Sequence, residues 1–243
     1  MSNEMIYDPL LKEREKQPPL ELGPIPGVLP YAGHRSPLSR SSIAHKISMV
    51  LPTPATKGVP RVYHFESARE AAVGLEAVIS PELYELEVQL PPIPYQDWQG
   101  TWRKHSFDAR ITFRSGFRRA VFVRNGTSLR KPKVQADITA IFAATPASFA
   151  DDKVVVNGDL YTRGYRDNLF RVWEATKRPD QEADVHLLDV ARRTTFWDLG
   201  QLIRSCELEG PRAFDAALRL IGCKALGTNW HTLIWMRSRV WVG

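Results

Sequence analysis

Alternating apolar and polar positions predict a succession of helices and strands beyond a proline-rich N-terminal stretch. Apolar residues recur at helical spacing in 69–79, where Ser67 is placed as the N-cap and Glu70 lies three positions later, the spacing of a capping box. A period of two predicts three strands, over 83–90, 106–113 and 118–124. The turn between the last two contains Ser115 and Gly116.

Later segments extend this order into a mixed α/β layer. The pattern predicts a helix within 134–149, a buried strand at 153–156 and a helix at 165–176. A polar linker then leads to three short helical patterns and an alternating tail, at 185–191, 199–203, 213–221 and 230–242. Three helices followed by a β-hairpin are typical of a winged-helix domain.

The first 59 residues predict an extended arm. More than half of the eighteen prolines lie before residue 61, and they break every candidate helix beyond the first dozen positions. A piece rich in serine and arginine, 35–46, could lie on a partner or on DNA, and a mobile tail or a strap over the core is an equal alternative. The predicted organisation is an arm at 1–59, an α/β domain at 60–176 and a winged-helix-like domain at 177–243.

Composition excludes several classes of protein. A chain of 243 residues with 43% hydrophobic content can bury a core. It has no run of eighteen apolar residues and no start of a secretory type, so we expect a soluble, cytoplasmic protein with no membrane partner. Cys206 and Cys223 lie in apolar helical patterns, which favours buried free thiols over a disulfide or a zinc site. Phosphate-loop and nucleophile-elbow motifs do not occur.

Positive charge is concentrated in one segment. The formal net charge is +6, yet residues 101–133 hold ten basic residues and one acidic residue, +9 (10 − 1). The fields of neighbouring cations add within a Debye length of ~8–10 Å. This segment predicts double-stranded DNA as a partner, although a solvated sheet face would carry the same residues. The candidate DNA-binding residues are Arg103, Lys104, Arg110, Arg114, Arg118, Arg119, Arg130, Lys131 and Lys133.

Asp108 is the one acid in this basic segment, at the start of an alternating apolar run. A metal-dependent nuclease needs a carboxylate in such a place, because hard divalent cations such as Mg²⁺ take oxygen ligands. His105 lies three positions earlier. On a strand, that separation puts two side chains on opposite faces, which favours a structural role for His105.

The order of elements and several residues resemble the nuclease domain of the TnsA-type transposon endonucleases, of the PD-(D/E)xK or restriction-endonuclease-like superfamily. The helix carries Ser67-Ala-Arg-Glu70, the next strand ends in Val88-Gln89-Leu90-Pro91, and Asp108 follows Ser106-Phe107. Segments 149–160 and 168–172 resemble the late strand, acidic turn and closing helix of the family. The resemblance covers residues 60–176.

This resemblance implies that Glu70 and Asp108 are catalytic and hold Mg²⁺ against the scissile phosphate. It places Phe122 where the next strand should carry a ligand, and Arg124 where a catalytic lysine would stand. Phe122 has no ligand atom, and Arg124 keeps the charge but cannot serve as a base, because its pKa stays above ~12. Phe122→Glu with Arg124→Lys would restore the family pattern.

Three interpretations of this departure remain open. The domain keeps the fold without activity, the missing oxygen comes from elsewhere with Glu66 as the nearest candidate, or the resemblance is accidental.

Together, these patterns predict an α/β protein with a restriction-endonuclease-like mixed sheet flanked by helices, an N-terminal arm and a C-terminal winged-helix-like domain. The predicted function is a DNA-binding component of a mobile element, working beside a transposase or recombinase, with weak or lost Mg²⁺-dependent cleavage. The alternative is a non-catalytic scaffold or interaction protein that keeps the nuclease fold. Residues 177–243 carry ten basic and eight acidic residues, which favours partner binding slightly over DNA binding there.

Overall fold

The computed structural model describes residues 23–38 and 46–243. The strands are β1 (Ile47–Leu51), β2 (Arg61–Phe65), β3 (Leu83–Val88), β4 (Ile93–Gln96), β5 (Trp102–His105), β6 (Ala109–Phe113), β7 (Arg118–Arg124), β8 (Asp152–Asn157), β9 (Leu226–Thr228) and β10 (Val240–Val242). The helices are α1 (Ala68–Ile79), α2 (Gly126–Leu129), α3 (Pro132–Ala144), α4 (Arg163–Thr176), α5 (Gln181–Arg193), α6 (Leu199–Arg204) and α7 (Gly210–Gly222). Short 3₁₀ turns occupy Pro54–Thr56 and Gly158–Leu160.

A mixed sheet of four strands, in the order β3-β6-β7-β8, forms the centre of the α/β part. β6 pairs antiparallel with β3 and β7, whereas β8 runs parallel to β7. A parallel neighbour needs a crossover connection, and α3 provides it. Side chains alternate along β7, so that Val121 packs under α1 while Ala120 and Phe122 pack towards α3. The strand is apolar on both faces because both faces are covered.

Each helix and strand predicted for this part is present as the predicted type of element, with somewhat different bounds. β7 covers the predicted residues, and α1 begins one residue before its predicted start. One omission is the β4–β5 hairpin, which was not among the predicted strands. This ribbon is only two strands wide, and Pro94 lies in it opposite Lys104, a place at a sheet edge where proline is tolerated.

Part of the expected arm is packed on the core. β1 pairs antiparallel with β2, and Met49 and Leu51 are buried with the residues of α1. Leu29 bridges to Arg61. Residues 23–38 and 46–59 therefore form a strap over the core, which was one of the expected alternatives. Most of the piece rich in serine and arginine lies outside the described residues.

The C-terminal part holds the three expected helices, but the alternating tail is mostly irregular. Only 240–242 form a strand, paired with β9. Val172 and Ala175 of α4 belong to the same apolar cluster as α5, α6 and α7, so this part shares a core with the preceding helix. The order of helices and strands along the described residues makes the architecture mixed α/β.

Asn168 fastens the tail to α4. Its side chain is fully buried, donates to Trp230 O (2.9 Å) and Thr232 O (2.7 Å), and accepts from Ile234 N (2.9 Å). Both cysteines are free thiols, as predicted, but Cys223 is exposed and Cys206 half-buried, so their predicted burial was wrong. Cys223 follows the last turn of α7 and lies off its apolar face.

None of the helices in 23–38 and 46–243 combines the length and apolar character needed to cross a bilayer.

Candidate functional site

Two acidic residues from distant parts of the sequence lie near each other at one end of the strands of the central sheet. Glu70 lies in the first turn of α1, where its Oε1 accepts from Ser67 Oγ (3.0 Å) and its Oε2 from Glu66 N (3.0 Å). Asp108 lies just before β6, and its Oδ2 accepts from Val123 N of the neighbouring strand (2.6 Å). The predicted cap at Ser67 is also formed, with Glu70 N donating to Ser67 Oγ (3.3 Å).

Burial and mutual repulsion make this pair costly to ionise. Burial, and then the nearby Glu70 carboxylate, raise the pKa of Asp108 from 3.8 to about 7, against the opposing effects of the Val123 hydrogen bond and of Arg124. Burial also raises the pKa of Glu70, and its hydrogen bonds from Glu66 N and Ser67 offset part of this. Two carboxylates with raised pKa values are a common feature of functional sites.

Gln89 is a third member of the site. It directly follows β3, is almost fully buried, and its Nε2 donates to Glu70 Oε2 (3.4 Å). Its backbone has φ of 51°, in the left-handed region that non-glycine residues rarely adopt. Gln89 N donates to Asp108 O (3.2 Å), so the unusual backbone also holds the two chain segments together. Such strain often accompanies a functional site.

The strap adds cations that the sequence patterns do not predict. Arg35 Nη2 lies 2.5 Å from Glu66 Oε1. The β1–β2 register, with Ile47 opposite Phe65, places Lys46 opposite Glu66, and its charge lowers the pKa of Glu70 against the larger effect of burial. Lys46 was missed because only long-range strand pairing brings it to the site.

Glu66 is close enough to interact with both carboxylates. After burial and Glu70, its charge adds to the raised pKa of Asp108. The interpretation in which Glu66 supplies the missing oxygen stays a prediction, because Glu66 Oε1 pairs with Arg35 and no group of three acidic side chains in the described residues could hold a metal ion.

Phe122 lies on the face of the sheet opposite to Glu70. It is buried beside Phe107 and the His105 ring, whose centroid is 4.3 Å away. Since Phe122 points away from the carboxylates, Phe122→Glu would place a charge in an apolar cluster and would not complete a ligand set. Arg124 remains near Asp108, with its guanidinium 4.5 Å above the Phe122 ring.

His105 also lies on this opposite face, as its spacing from Asp108 predicted. Its Nε2 is buried without a hydrogen-bond partner among the described residues. Burial, with a smaller contribution from Arg124, lowers the pKa of His105 to about 4. A neutral, packed imidazole fits the structural role.

The candidate DNA-binding residues fall into two groups, those held by other groups of the protein and those with no acidic partner. Five are held by neighbouring acids or carbonyl oxygens: Arg103 by Asp97, Arg110 by Glu87, Arg114 by Pro81 O, Arg118 by Asp151 and Arg119 by Asp152. The others, together with Arg124, have no acid within ion-pair distance in the described parts of the chain: Lys104, Arg130, Lys131 and Lys133.

Part of the first group is also distant from Asp108. Arg118 and Arg124 stand at opposite ends of β7, six residues apart, which is ~20 Å at the usual rise of a strand. Asp108 lies at the Arg124 end, because its side chain binds Val123 N. Arg124 therefore lies at the same end of the strands as the carboxylate pair.

Two arginines of the C-terminal part are also occupied. Arg212 binds Asp180 (2.7 Å) and Glu182 (2.8 Å), and Arg219 is buried against Asp184 (2.7 Å). α7 therefore does not present these two guanidinium groups to a phosphate backbone.

Mg²⁺ was the expected cofactor, and the donor set allows a limited test. In the described ranges, no group of three or more His, Cys, Asp or Glu side chains could hold a metal ion. Glu70 and Asp108 offer two carboxylates, and Gln89 offers an amide oxygen. Mg²⁺ in many enzymes takes only one or two carboxylates and completes its shell with water and substrate phosphate. The residues fit the protein half of such a site, since a cation would relieve the repulsion between the two carboxylates.

Comparison with known proteins gives no family model and no curated protein that matches this chain. Its function must therefore be inferred from the site.

Proposed function

We propose that this protein binds duplex DNA, with the Glu70–Asp108 pair directed at the phosphate backbone through a divalent cation. The observation that carries the proposal is that Gln89 links the two carboxylate residues, through Nε2 to Glu70 Oε2 and through its backbone N–H to Asp108 O, at the end of the strands where Arg124 ends β7. Negative side chains alone would repel DNA. A shared cation would reverse the sign of the site, and Arg124, with Lys131 and Lys133 seven and nine residues further along the chain, supplies further attraction for phosphates.

The proposed roles follow from position. Glu70 and Asp108 would hold the cation, and Gln89 orients the Glu70 carboxylate by its hydrogen bond. A bound Mg²⁺ supplies Lewis-acid chemistry and an activated water. Arg124 stabilises negative charge on the phosphate but does not remove a proton.

Cleavage by this site should be slow. β7 presents Val121 and Val123 on the face that carries Glu70, so it brings no lysine to the attacking water. The proposal is therefore of a DNA-binding protein with weak or no nuclease activity. The resemblance to TnsA-type endonucleases supports a place beside a transposase or recombinase of a mobile element.

A second candidate is a non-catalytic interaction protein that keeps the same fold. It is favoured by the ion pairs of Arg110 with Glu87, Arg118 with Asp151 and Arg119 with Asp152, which neutralise much of the basic segment. Partner binding, rather than phosphate binding, would then use this surface.

Salt dependence of binding to a blunt DNA duplex distinguishes the two candidates. Each lost phosphate contact reduces the log-log slope of affinity against salt by roughly 0.9 on duplex DNA. We expect Arg124→Ala/Lys131→Ala/Lys133→Ala to lower the slope by about 2–3. The matched triple variant Arg114→Ala/Arg118→Ala/Arg119→Ala should leave it unchanged.

Two results would reject the proposed function. One is the absence of measurable duplex binding by the native chain at low salt. The other is an equal fall in slope for both triple variants, which would mean that general charge, and not this end of the sheet, binds DNA.

A further inference from the structure

The β4–β5 hairpin projects from the strand pair that carries the candidate site. Leu90 N donates to Phe107 O (3.3 Å) and Gln89 N to Asp108 O (3.2 Å), so the β3–β6 pairing continues beyond the carboxylates into this ribbon. At its base, Ile93 and His105 pair with each other and are buried. The hairpin is thus anchored next to the site.

Hydrogen bonds fix the tip of this hairpin. The buried Asp97 carboxylate accepts from Gln99 N (3.0 Å), Thr101 N (2.9 Å) and Arg103 Nε (3.1 Å). Gly100 has φ of 77°, which closes the turn at a position where glycine carries no steric penalty. The tip is therefore shaped in advance of binding.

This fixed tip exposes two large aromatic rings. Trp98 is 59% exposed and Trp102 is 68% exposed. Rings this exposed contribute little to packing of the fold, and the ordered hairpin tip keeps both of them turned to the solvent. Every nucleic-acid base has a π-face, so such rings are platforms for unstacked bases.

Cations accompany the rings on both faces of the ribbon. Side chains two residues apart on a strand share a face, so Lys104 lies on the same face of the ribbon as Trp102. On the other face, Tyr95 pairs with Arg103, which is held by Asp97. Burial, and then Asp137 and Asp97, raise the pKa of the Tyr95 hydroxyl, and Arg103 and Arg124 oppose them. Lys104 and Arg124, neither of which has an acidic partner in the described parts of the chain, are the cations here that a phosphate backbone would complement.

We propose that the β4–β5 hairpin binds unpaired DNA bases beside the candidate site by stacking them on Trp98 and Trp102. This deepens the proposed function, on which it rests, by naming the substrate class as DNA with a single-stranded segment next to a duplex. Six residues of strand separate Trp102 from Asp108, a reach of up to ~20 Å. At ~3.4 Å per nucleotide of stacked strand, the bound bases lie about six steps from the phosphate at the carboxylates.

The test is binding of a fluorescent duplex with a single-stranded thymidine tail, compared with the same duplex whose tail is abasic. Both tails carry the same charge, and only the first can stack. We expect the native chain to prefer the thymidine tail ~5-fold or more per stacked base. Trp98→Ala/Trp102→Ala should abolish this preference, and Trp98→Tyr/Trp102→Tyr should keep most of it.

Trp197→Ala is the matched control, because Trp197 is 70% exposed in the C-terminal part, and it should keep the full preference. Equal binding of the two tails by the native chain would overturn the inference without needing any variant to fold. So would a preference that survives in Trp98→Ala/Trp102→Ala. Binding to a blunt duplex reports separately on the proposed function: if it persists while the tail preference is absent, only the hairpin proposal fails.

Discussion

Removing the charge of Asp108 should stabilise the metal-free protein, and increasingly so as pH rises. Asp108→Asn keeps an oxygen that can accept from Val123 N but removes a buried carboxylate beside Glu70. The pKa of Asp108 is raised in the fold from 3.8 to about 7. Between these two pH values the folded chain keeps the proton that the unfolded chain has released, so the free energy of unfolding falls as pH rises. The contribution of the protonated Asp108 to stability is fully present below pH ~4 and is lost as pH rises through about 7.

The size of the effect follows from the two pKa values. At ~1.4 kcal/mol per pKa unit, the full loss is about 4 kcal/mol, of which about 2–3 kcal/mol falls between pH 5 and pH 8. The assay is urea unfolding with a chelator present, at both pH values, for the native chain, Asp108→Asn and the exposed-site control Asp167→Asn. We expect Asp108→Asn to gain about 2–3 kcal/mol on the native chain between pH 5 and pH 8. A constant difference between the two would refute the assignment of Asp108 as a buried carboxylate repelled by Glu70.

Three other predictions concern activity and packing. Supercoiled plasmid incubated with Mg²⁺ or Mn²⁺ should be nicked weakly or not at all, and any nicking should vanish in Asp108→Ala and Glu70→Ala; cleavage that persists in Asp108→Ala would mean that the chemistry lies elsewhere. Phe122→Glu should lower the free energy of unfolding by at least ~3 kcal/mol, against less than ~1.5 kcal/mol for Phe122→Leu, because only the first buries a charge; an equal, small effect in urea unfolding would show that Phe122 is not enclosed. Asn168→Ala should cost about 1–3 kcal/mol by leaving buried backbone groups of the tail unpaired, measured in the same way, and no loss would show that the tail is held by other contacts.

Local pattern was sufficient for much of the fold. The apolar run of β7 and the Ser67 cap of α1 are signals contained within a few residues, and both elements form where those signals lie. The same signals correctly place Glu70 at the start of a helix and Asp108 at the start of a strand. Their spatial proximity was an expectation of the family resemblance, and local periodicity carries no information about it.

What could not be predicted depends on long-range geometry. The face on which Phe122 lies is set by the pairing of Ala109 with Val121 and by the bend at Asp108, and a shift of one residue would reverse it. Arg118 and Arg119 look like free cations in the sequence, but their acids lie 33 residues away. Lys46 reaches the site only through the pairing of β1 with β2. In each case the partner is distant in the chain.

The central claim is that Glu70 and Asp108 bind a divalent cation together with DNA phosphate. Its most direct test is the affinity for a blunt duplex at constant ionic strength, with a chelator or with Mn²⁺, for the native chain, Asp108→Asn, Glu70→Gln and the exposed control Glu207→Gln. The account predicts that Mn²⁺ tightens binding ~10-fold or more, or ~1.4 kcal/mol, in the native chain and Glu207→Gln but not in the two site variants. Equal tightening in all four proteins, or none in the native chain, would contradict it.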